Sequence, residues 1–510
     1  MPALQGMPPQ LSQLTNLQTL TNFVVGKGEN VIDVEDARKT DLISKEGLNA
    51  LHLEWSDKKE NDEGVLDMSQ PHGNLEELTI KGYGGMKFST WVGDPLFSNT
   101  VLVRLENCKN CGFLPPLGQL LFLKELYVSG MPGVESVGHE FYGNGSFSFP
   151  RLETLEFEDM QRWKDWFPCQ GDQGIEVFSS LKRLSINRCL KLEGSLPENI
   201  GSIEKLEIIQ CDKLVASIAG YKQLSTLRVQ ECKGVVCGIR VDLEQLKAIT
   251  LAYVPEFRFQ TKGFMTGLRK VEKLTIAEYS KLQQLHQLAS LQTLYMYKCQ
   301  SHLVLKEEEE EIEGSSLSSS HCRRKEEASC LETMAIVDCP SITSFSSKGQ
   351  LSLPALKHLE GLSSNLTHLT IWKPYNCKPL SHWGLTLNRL TSLKELWLSG
   401  VDLRLSSFPP EGEEMLLPKS LIILNISDFP NLRHPSSQGY RFLTSLESLE
   451  IRDCPKLEYF PEDLALSLTQ LRIYDHCPVL RKRYKPGNAK DWAIIAHIPY
   501  IDIGDLPLEQ

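Results

Sequence analysis

The apolar pattern Leu-x-x-Leu-x-Leu returns along this chain at the length of one supersecondary unit. It is carried by Leu152, Leu155 and Phe157, by Leu181, Leu184 and Ile186, and by Leu224, Leu227 and Val229. The same frame persists to Leu446, Leu449 and Ile451, and then to Leu468, Leu471 and Ile473. Seventeen such units start at Leu48 and end with the one at Leu468, and only the unit Thr100, Val103, Leu105 has a polar first position. Start-to-start spacings run from 20 to 40 residues, mostly 21 to 29.

A short extended segment puts the three apolar side chains on one face and the intervening residues on the other. One unit cannot bury its apolar side alone, so neighbours must stack, and stability becomes a sum of nearest-neighbour contributions. A period in this range with this pattern is the leucine-rich-repeat signature. The expected fold is therefore an α/β leucine-rich-repeat solenoid (horseshoe) with a parallel concave β-sheet. Its outer connections are expected to be irregular, because the spacings vary and carry Pro and Gly, as in Leu114-Pro115-Pro116-Leu117-Gly118. Seventeen strands at the usual separation give an inner arc of about 80 Å and no single enclosed pocket.

Charge and composition narrow the function. A net charge of −11 disfavours nonspecific binding to nucleic acid or to an anionic membrane. No apolar run approaches the roughly 20 residues of a membrane helix, and the first residues lack the pattern of a signal peptide. Of the 14 cysteines, Cys108, Cys189, Cys211, Cys232, Cys299, Cys339 and Cys454 each fall three residues after a repeat's third apolar position; Cys477 misses that slot by one. A ladder of this kind reads as reduced, buried thiols that satisfy loop backbone, and so as a cytoplasmic protein. Cys108-x-x-Cys111 has no second ligand pair at zinc-binding spacing.

No catalytic chemistry is legible. The Gly-Lys pair at Gly26-Lys27 is followed by Gly28, so it forms no phosphate loop, and no G-x-S-x-G or HExxH occurs. Carboxylates such as Glu153, Glu156 and Glu158 read as a solvated strand face. The chain is expected to be no enzyme and to use no cofactor or metal. Sequons at Asn144, Asn365 and Asn425 read as chance matches; a glycan on Asn425, in a predicted strand, would block the inner face.

The expected organisation has three parts. Residues 1–47 hold a partial repeat and a linker, 48–480 the solenoid, and 481–510 a C-terminal cap and tail able to cover the last open strand. Inside the solenoid, residues 306–329 begin with a Lys306-Glu307-Glu308-Glu309-Glu310-Glu311 block and continue into serines, a composition expected to be disordered.

The segments between repeats are more specific than the repeats. Leu17-Gln18-Thr19-Leu20-Thr21-Asn22-Phe23-Val24-Val25-Gly26 resembles the start of the repeat region in plant intracellular nucleotide-binding leucine-rich-repeat disease-resistance proteins of the coiled-coil class. So do Leu51-x-Leu53-Glu54-Trp55, Tyr83-Gly84-Gly85, Val137-Gly138-x-Glu140-Phe141-Tyr142-Gly143 and Trp163-x-x-Trp166, in family order. Asp491-Trp492 and Ile495-Ala496-His497-Ile498-Pro499 resemble that family's C-terminal end. Two departures stand out. The coiled coil and nucleotide-binding switch domain that precede such repeats are not in this sequence, and the stretch from Gly26 to Val31 looks shortened by about one repeat.

The resemblance implies a recognition module of plant innate immunity. Its implied partners are a pathogen effector or a guarded host protein, and a nucleotide-binding switch domain in cis or trans. The alternatives are a nonfunctional truncation or adaptor derived from such a receptor, or an extracellular leucine-rich-repeat receptor or inhibitor. The residues themselves point to one place for binding. Most units put charged or small groups on the open strand face, such as Lys81, Glu158, Arg228 and Ser399. The units at Leu291, Leu331, Leu366 and Leu393 instead present Tyr295 and Tyr297, Ala335 and Val337, Trp372, and Trp397. These four aromatics should form one protein-binding patch about 15 Å across, unless some fold down to fill gaps between irregular repeats.

Overall fold

The computed structural model describes residues 18–25, 34–55, 62–143, 148–167, 177–194, 196, 200, 202–218, 221–237, 245–254, 256–259, 270–278, 290–299, 332–337, 366–372, 387, 390–401, 403–409, 417–436, 440, 442–459, 464, 466–474, 476–485 and 487–504. The acidic segment 306–329, the sequons at Asn144 and Asn365, Cys339 and the stretch 26–31 lie outside them. The chain divides into two compact units, residues 1–246 with 253–267, and residues 247–252 with 268–510.

Each unit is a parallel leucine-rich-repeat solenoid. In the first, Ala50–Trp55, Glu77–Lys81, Leu102–Glu106, Glu125–Ser129, Thr154–Glu158 and Arg183–Asn187 pair in sequence order, one strand per repeat and in register. Thr19–Val25 adds a strand before them, and Lys205–Ser217 and Thr226–Cys237 follow. In the second unit Ala248–Ala252, Lys273–Ala277, Thr293–Tyr297, Thr333–Val337 and His368–Trp372 pair in the same way. Glu395–Ser399, Ile423–Ser427, Ser448–Arg452 and Gln470–Ile473 continue the ladder. Every one of the seventeen repeats thus has its strand. Beyond them Tyr500–Asp502 pairs with Gln470–Ile473, after the short helices Pro478–Arg483 and Ala489–Ile495.

Burial follows the strand period. In Ala50–Trp55 the residues alternate, with Leu51, Leu53 and Trp55 buried. Leu126, Leu155, Leu184 and Leu206 are each 0 % exposed, so the second apolar positions stack into one spine through the first unit. The connections are irregular, as the spacing demands. They hold 3-10 turns at Leu42–Ser44 and Leu117–Gln119, a one-turn helix at His139–Tyr142, and a two-residue parallel ladder between Ser136–Val137 and Asp165–Trp166. Aromatic rings fill this widened region. Trp163 lies 4.7 Å from Phe157, and Trp166 donates its indole N–H to the Tyr142 hydroxyl at 2.8 Å.

Among the described residues, most repeats carry one left-handed residue just past the apolar frame. Gly82, Asn107, Gly130, Asp159, Arg188, Gln210, Glu231, Tyr253, Glu278, Lys298, Gly400, Asp428 and Asp453 all stand two residues after a third apolar position, with φ from 48° to 69°. The turn aims the backbone N–H at the next repeat. Gly82 donates to the Glu106 carbonyl at 2.7 Å, Asn107 to Ser129 at 2.8 Å, and Asp159 to Asn187 at 2.9 Å. Lys298 donates to Val337 at 2.8 Å and Gly400 to Ser427 at 3.0 Å. The strain of a left-handed residue is offset by one extra inter-repeat hydrogen bond.

The ladder cysteines follow these residues directly. Cys211 donates to the Ile186 carbonyl of the preceding repeat at 3.7 Å and to its own repeat's Ile209 carbonyl at 3.5 Å. Cys108, Cys232 and Cys299 make the same pair of contacts one or more repeats away. Burial pushes the Cys108 thiol up to about 12; the Cys189 hydrogen bond, ahead of burial, does the same for Cys211. Where the slot holds Tyr83, Met131, Met160 or Phe429 it is equally buried, so it admits large apolar groups as well as small ones. Cys477 is offset because its exit is one residue longer. His476 takes the left-handed conformation, at φ 63°, and Cys477 Sγ accepts the Cys454 N–H at 3.3 Å.

Candidate protein-binding face

The strand residues that point away from the core form straight rows, because the pairing is in register. In the first unit one row runs His52, Thr79, Arg104, Tyr127, Glu156, Ser185, Glu207, Arg228, and the next Glu54, Lys81, Glu106, Ser129, Glu158, Asn187. These rows are polar and largely self-paired. Lys81 meets Glu54 at 2.8 Å, a hydrogen bond that raises the lysine pKa. The Arg104 guanidinium sits 3.9 Å from the Tyr127 ring centroid. Glu207 is flanked by Lys205 at 3.2 Å and Arg228 at 3.7 Å. Partial burial raises the pKa of Glu156 and, despite Glu54, lowers that of His52.

The second unit's face has a different chemistry. One row reads Tyr295, Ala335, Thr370, Trp397, Asn425, Glu450, Arg472, and the other Tyr297, Val337, Trp372, Ser399, Ser427, Arg452. Tyr295 is 45 % exposed, Trp372 44 % and Trp397 38 %, so these three rings stand open to solvent rather than filling gaps. Tyr297 is half-buried, with the Lys298 ammonium 5.0 Å from its ring centroid. Tyr295 and Trp397 are three strands apart, about 14 Å, and Tyr297 and Trp372 two strands apart, about 10 Å. The register brings all four onto one area, with the small Ala335 buried between Tyr295 and Trp397 and Ser399 buried beside Trp372.

Next to the tryptophans is a groove open to solvent. Trp372 and Trp397 line one side of it. Glu450, Arg452, Asp428 and Asp453 line the other, with Ser399, Ser427 and Asn425 between. The polar side was not singled out from sequence. Its signal was present all the same: Asn425, Glu450 and Arg452 occupy, in the next two repeats, the same open-face positions that identified the aromatics. Asn425 is 6 % exposed, so the sequon there is buried in the sheet. Among the described residues no group of three or more His, Cys, Asp or Glu could hold a metal ion. Cys111, in the Cys-x-x-Cys pair, donates to the Gly85 carbonyl at 3.2 Å. No described helix is long and apolar enough to cross a membrane.

The family described as R13L1/DRL21 leucine-rich repeats matches residues 11–131. A putative disease-resistance RPP13-like protein 1 of Arabidopsis thaliana is 35 % identical over 225 residues, 40 % of this chain and 21 % of that one. The putative disease-resistance protein RGA1 of Solanum bulbocastanum is 28 % identical over 255 residues, 45 % of this chain and 25 % of that one. These repeats are homologous to those of plant disease-resistance proteins. The chain spans about a fifth to a quarter of the length of these curated relatives. Among solved structures, one titled as a TLR13–ssRNA13 complex aligns over 97 % of this chain and 66 % of its own, with a TM-score of 0.61 at 15 % identity, a likeness of fold alone. The matched residues 11–131 begin with the Leu17–Gly26 segment and include the Trp55 and Tyr83 motifs. Trp55 and Tyr83 are buried edge to face, with ring centroids 5.1 Å apart, so part of what marks the family packs the first repeats together.

Proposed function

We propose that this chain is the recognition module of a plant innate-immunity receptor. It senses a pathogen effector, directly or through a guarded host protein, by protein–protein binding in the cytoplasm, and carries out no catalysis. The observation that supports this reading is the cluster of exposed aromatic rings Tyr295, Trp372 and Trp397 on the open sheet face, in repeats homologous to those of resistance proteins. Clustered aromatics supply most of the energy in protein interfaces, because they bury much area at low entropic cost. A nucleotide-binding switch domain, in cis or in trans, is the second partner of this reading.

The test is affinity capture from infected leaf tissue, with wild type, Trp372→Ala and Trp397→Ala side by side. Pathogen or host proteins held by the wild type should be lost from both variants while the melting transition stays in place. Retention of the same proteins by both variants would refute the reading.

A further inference from the structure

We propose that the groove between Trp397 and the Asp428 and Asp453 carboxylates takes an arginine or lysine side chain from an extended basic segment of the partner protein. This rests on the reading of the face as protein-binding and names what that face selects. Three observations converge on it.

The first is the placement of the rings. Trp397 and Trp372 stand on adjacent strands, on opposite rows, with their exposed faces toward the same groove. Indole is the aromatic that best attracts a cation. The second is charge. Three carboxylates, Asp428, Glu450 and Asp453, line the groove against one cation, Arg452. Arg452 is already engaged, with Glu450 at 3.1 Å and the Tyr474 ring centroid 4.2 Å from its guanidinium. That local arrangement, a guanidinium between a carboxylate and a ring, has its counterpart where Trp397 faces the groove's carboxylates. Asp453 holds the His476 ring nitrogen at 2.8 Å, a contact that leaves its second oxygen as an acceptor. The third is Asn425. It is 6 % exposed, lies in register between Trp397 and Glu450, and lines the groove. Its carbonyl oxygen suits a guanidinium or ammonium N–H, and its NH₂ the backbone carbonyl of the same extended segment.

The two aspartates occupy left-handed positions, φ 61° and 50°. Asn accepts that conformation as readily as Asp, so Asp428→Asn with Asp453→Asn removes charge and leaves the backbone unstrained. The experiment is calorimetry on the full chain with three peptides of equal length: hexa-arginine, hexaglutamate, and a neutral Gly/Leu hexamer. Hexa-arginine should bind, and the other two should not. Trp397→Ala should weaken hexa-arginine about tenfold, and Trp397→Phe, which keeps a ring and guards against a folding artefact, by no more than about threefold. The Asp428→Asn/Asp453→Asn double variant should weaken it at least about fivefold. Glu153→Gln/Glu193→Gln, the same charge change in the first unit, should leave it within about twofold. The proposal is overturned if the two double variants lose affinity equally, since that is a field effect of an acidic protein, or if Trp397→Ala binds hexa-arginine as the wild type does. Trp397-dependent binding of the neutral or the acidic peptide in place of hexa-arginine would overturn the cation assignment and leave the protein-binding face standing. Peptide binding that never depends on Trp397, together with unchanged capture by the variants above, would remove both.

Discussion

Replacing Gly82 by Ala tests the exit geometry that stitches one repeat to the next. Gly82 sits at φ 69°, where a side chain costs about 1–2 kcal/mol. The added Cβ would stand 2.7 Å from the Trp55 carbonyl oxygen, a backbone atom of the adjacent strand that cannot swing aside. Overpacking of this kind adds about 1–2 kcal/mol, so the expected loss is about 2–4 kcal/mol. The N–H of residue 82 still reaches the Glu106 carbonyl, so the loss measures strain and not a missing hydrogen bond. Gln210→Gly is the converse. It relieves the same left-handed strain at φ 54°, about 1–2 kcal/mol, but sacrifices about 0.5–1 kcal/mol of chain freedom and an exposed hydrogen bond to Glu231. The net is between about 0 and 1 kcal/mol of stabilisation. Guanidinium unfolding followed by tryptophan fluorescence and circular dichroism reads both, with the slope of the transition held as a check on cooperativity. The reasoning is refuted if Gly82→Ala costs less than about 0.5 kcal/mol, or if Gln210→Gly destabilises by more than about 1 kcal/mol.

Other outcomes follow from the same geometry. Leu396→Ala, adjacent to Trp397 but 0 % exposed on the core face, should cost about 3–5 kcal/mol in denaturant unfolding, and a loss under about 1 kcal/mol would contradict the assigned face. Native protein should react slowly with a thiol reagent at pH 8 at Cys108 and Cys211, whose thiols are pushed up to about 12, and denatured unreduced protein should titrate close to 14 thiols; a titre short by several thiols would contradict the ladder. Burial raises the Glu156 pKa above its ordinary 4.5, so the folded state holds that proton more tightly and stability falls as pH rises through the folded value. Glu156→Gln should therefore gain on the wild type above about pH 5 and match it at pH 3; a gain that is constant with pH would mean the effect is not titration.

Much of the repeat frame was legible because burial period and repeat period are independent signals that agree. Leu155 and Phe157, or Leu184 and Ile186, mark a face, and their recurrence marks the stack. The left-handed exits were not legible. Asn, Asp, Arg, Gln, Glu, Tyr, Lys and Gly all occupy the position, because the next repeat's carbonyl imposes the conformation whatever the side chain. The ladder slot was read from its cysteines as a place for small groups, yet Tyr83 and Phe429 show that depth and not size defines it. On the candidate face the aromatics were found because they break a polar pattern. The carboxylates opposite them were passed over because Asp428 and Asp453 are exit residues, and only the fold shows that the exits of two repeats border the same groove. The strand Tyr500–Asp502 lacks the full apolar frame, so its pairing with Gln470–Ile473 was not legible in the repeat pattern.

Radical footprinting of the chain, alone and with a captured partner, tests the central claim most directly. Trp372 and Trp397 are accessible in the free chain and should oxidise readily. The partner should slow oxidation of both, and of Tyr295, about fivefold or more, as burial in an interface core does, while Tyr127 on the first unit's face keeps its rate. Unchanged rates at Trp372 and Trp397 in the saturated complex, with protection elsewhere, would show that recognition uses another surface.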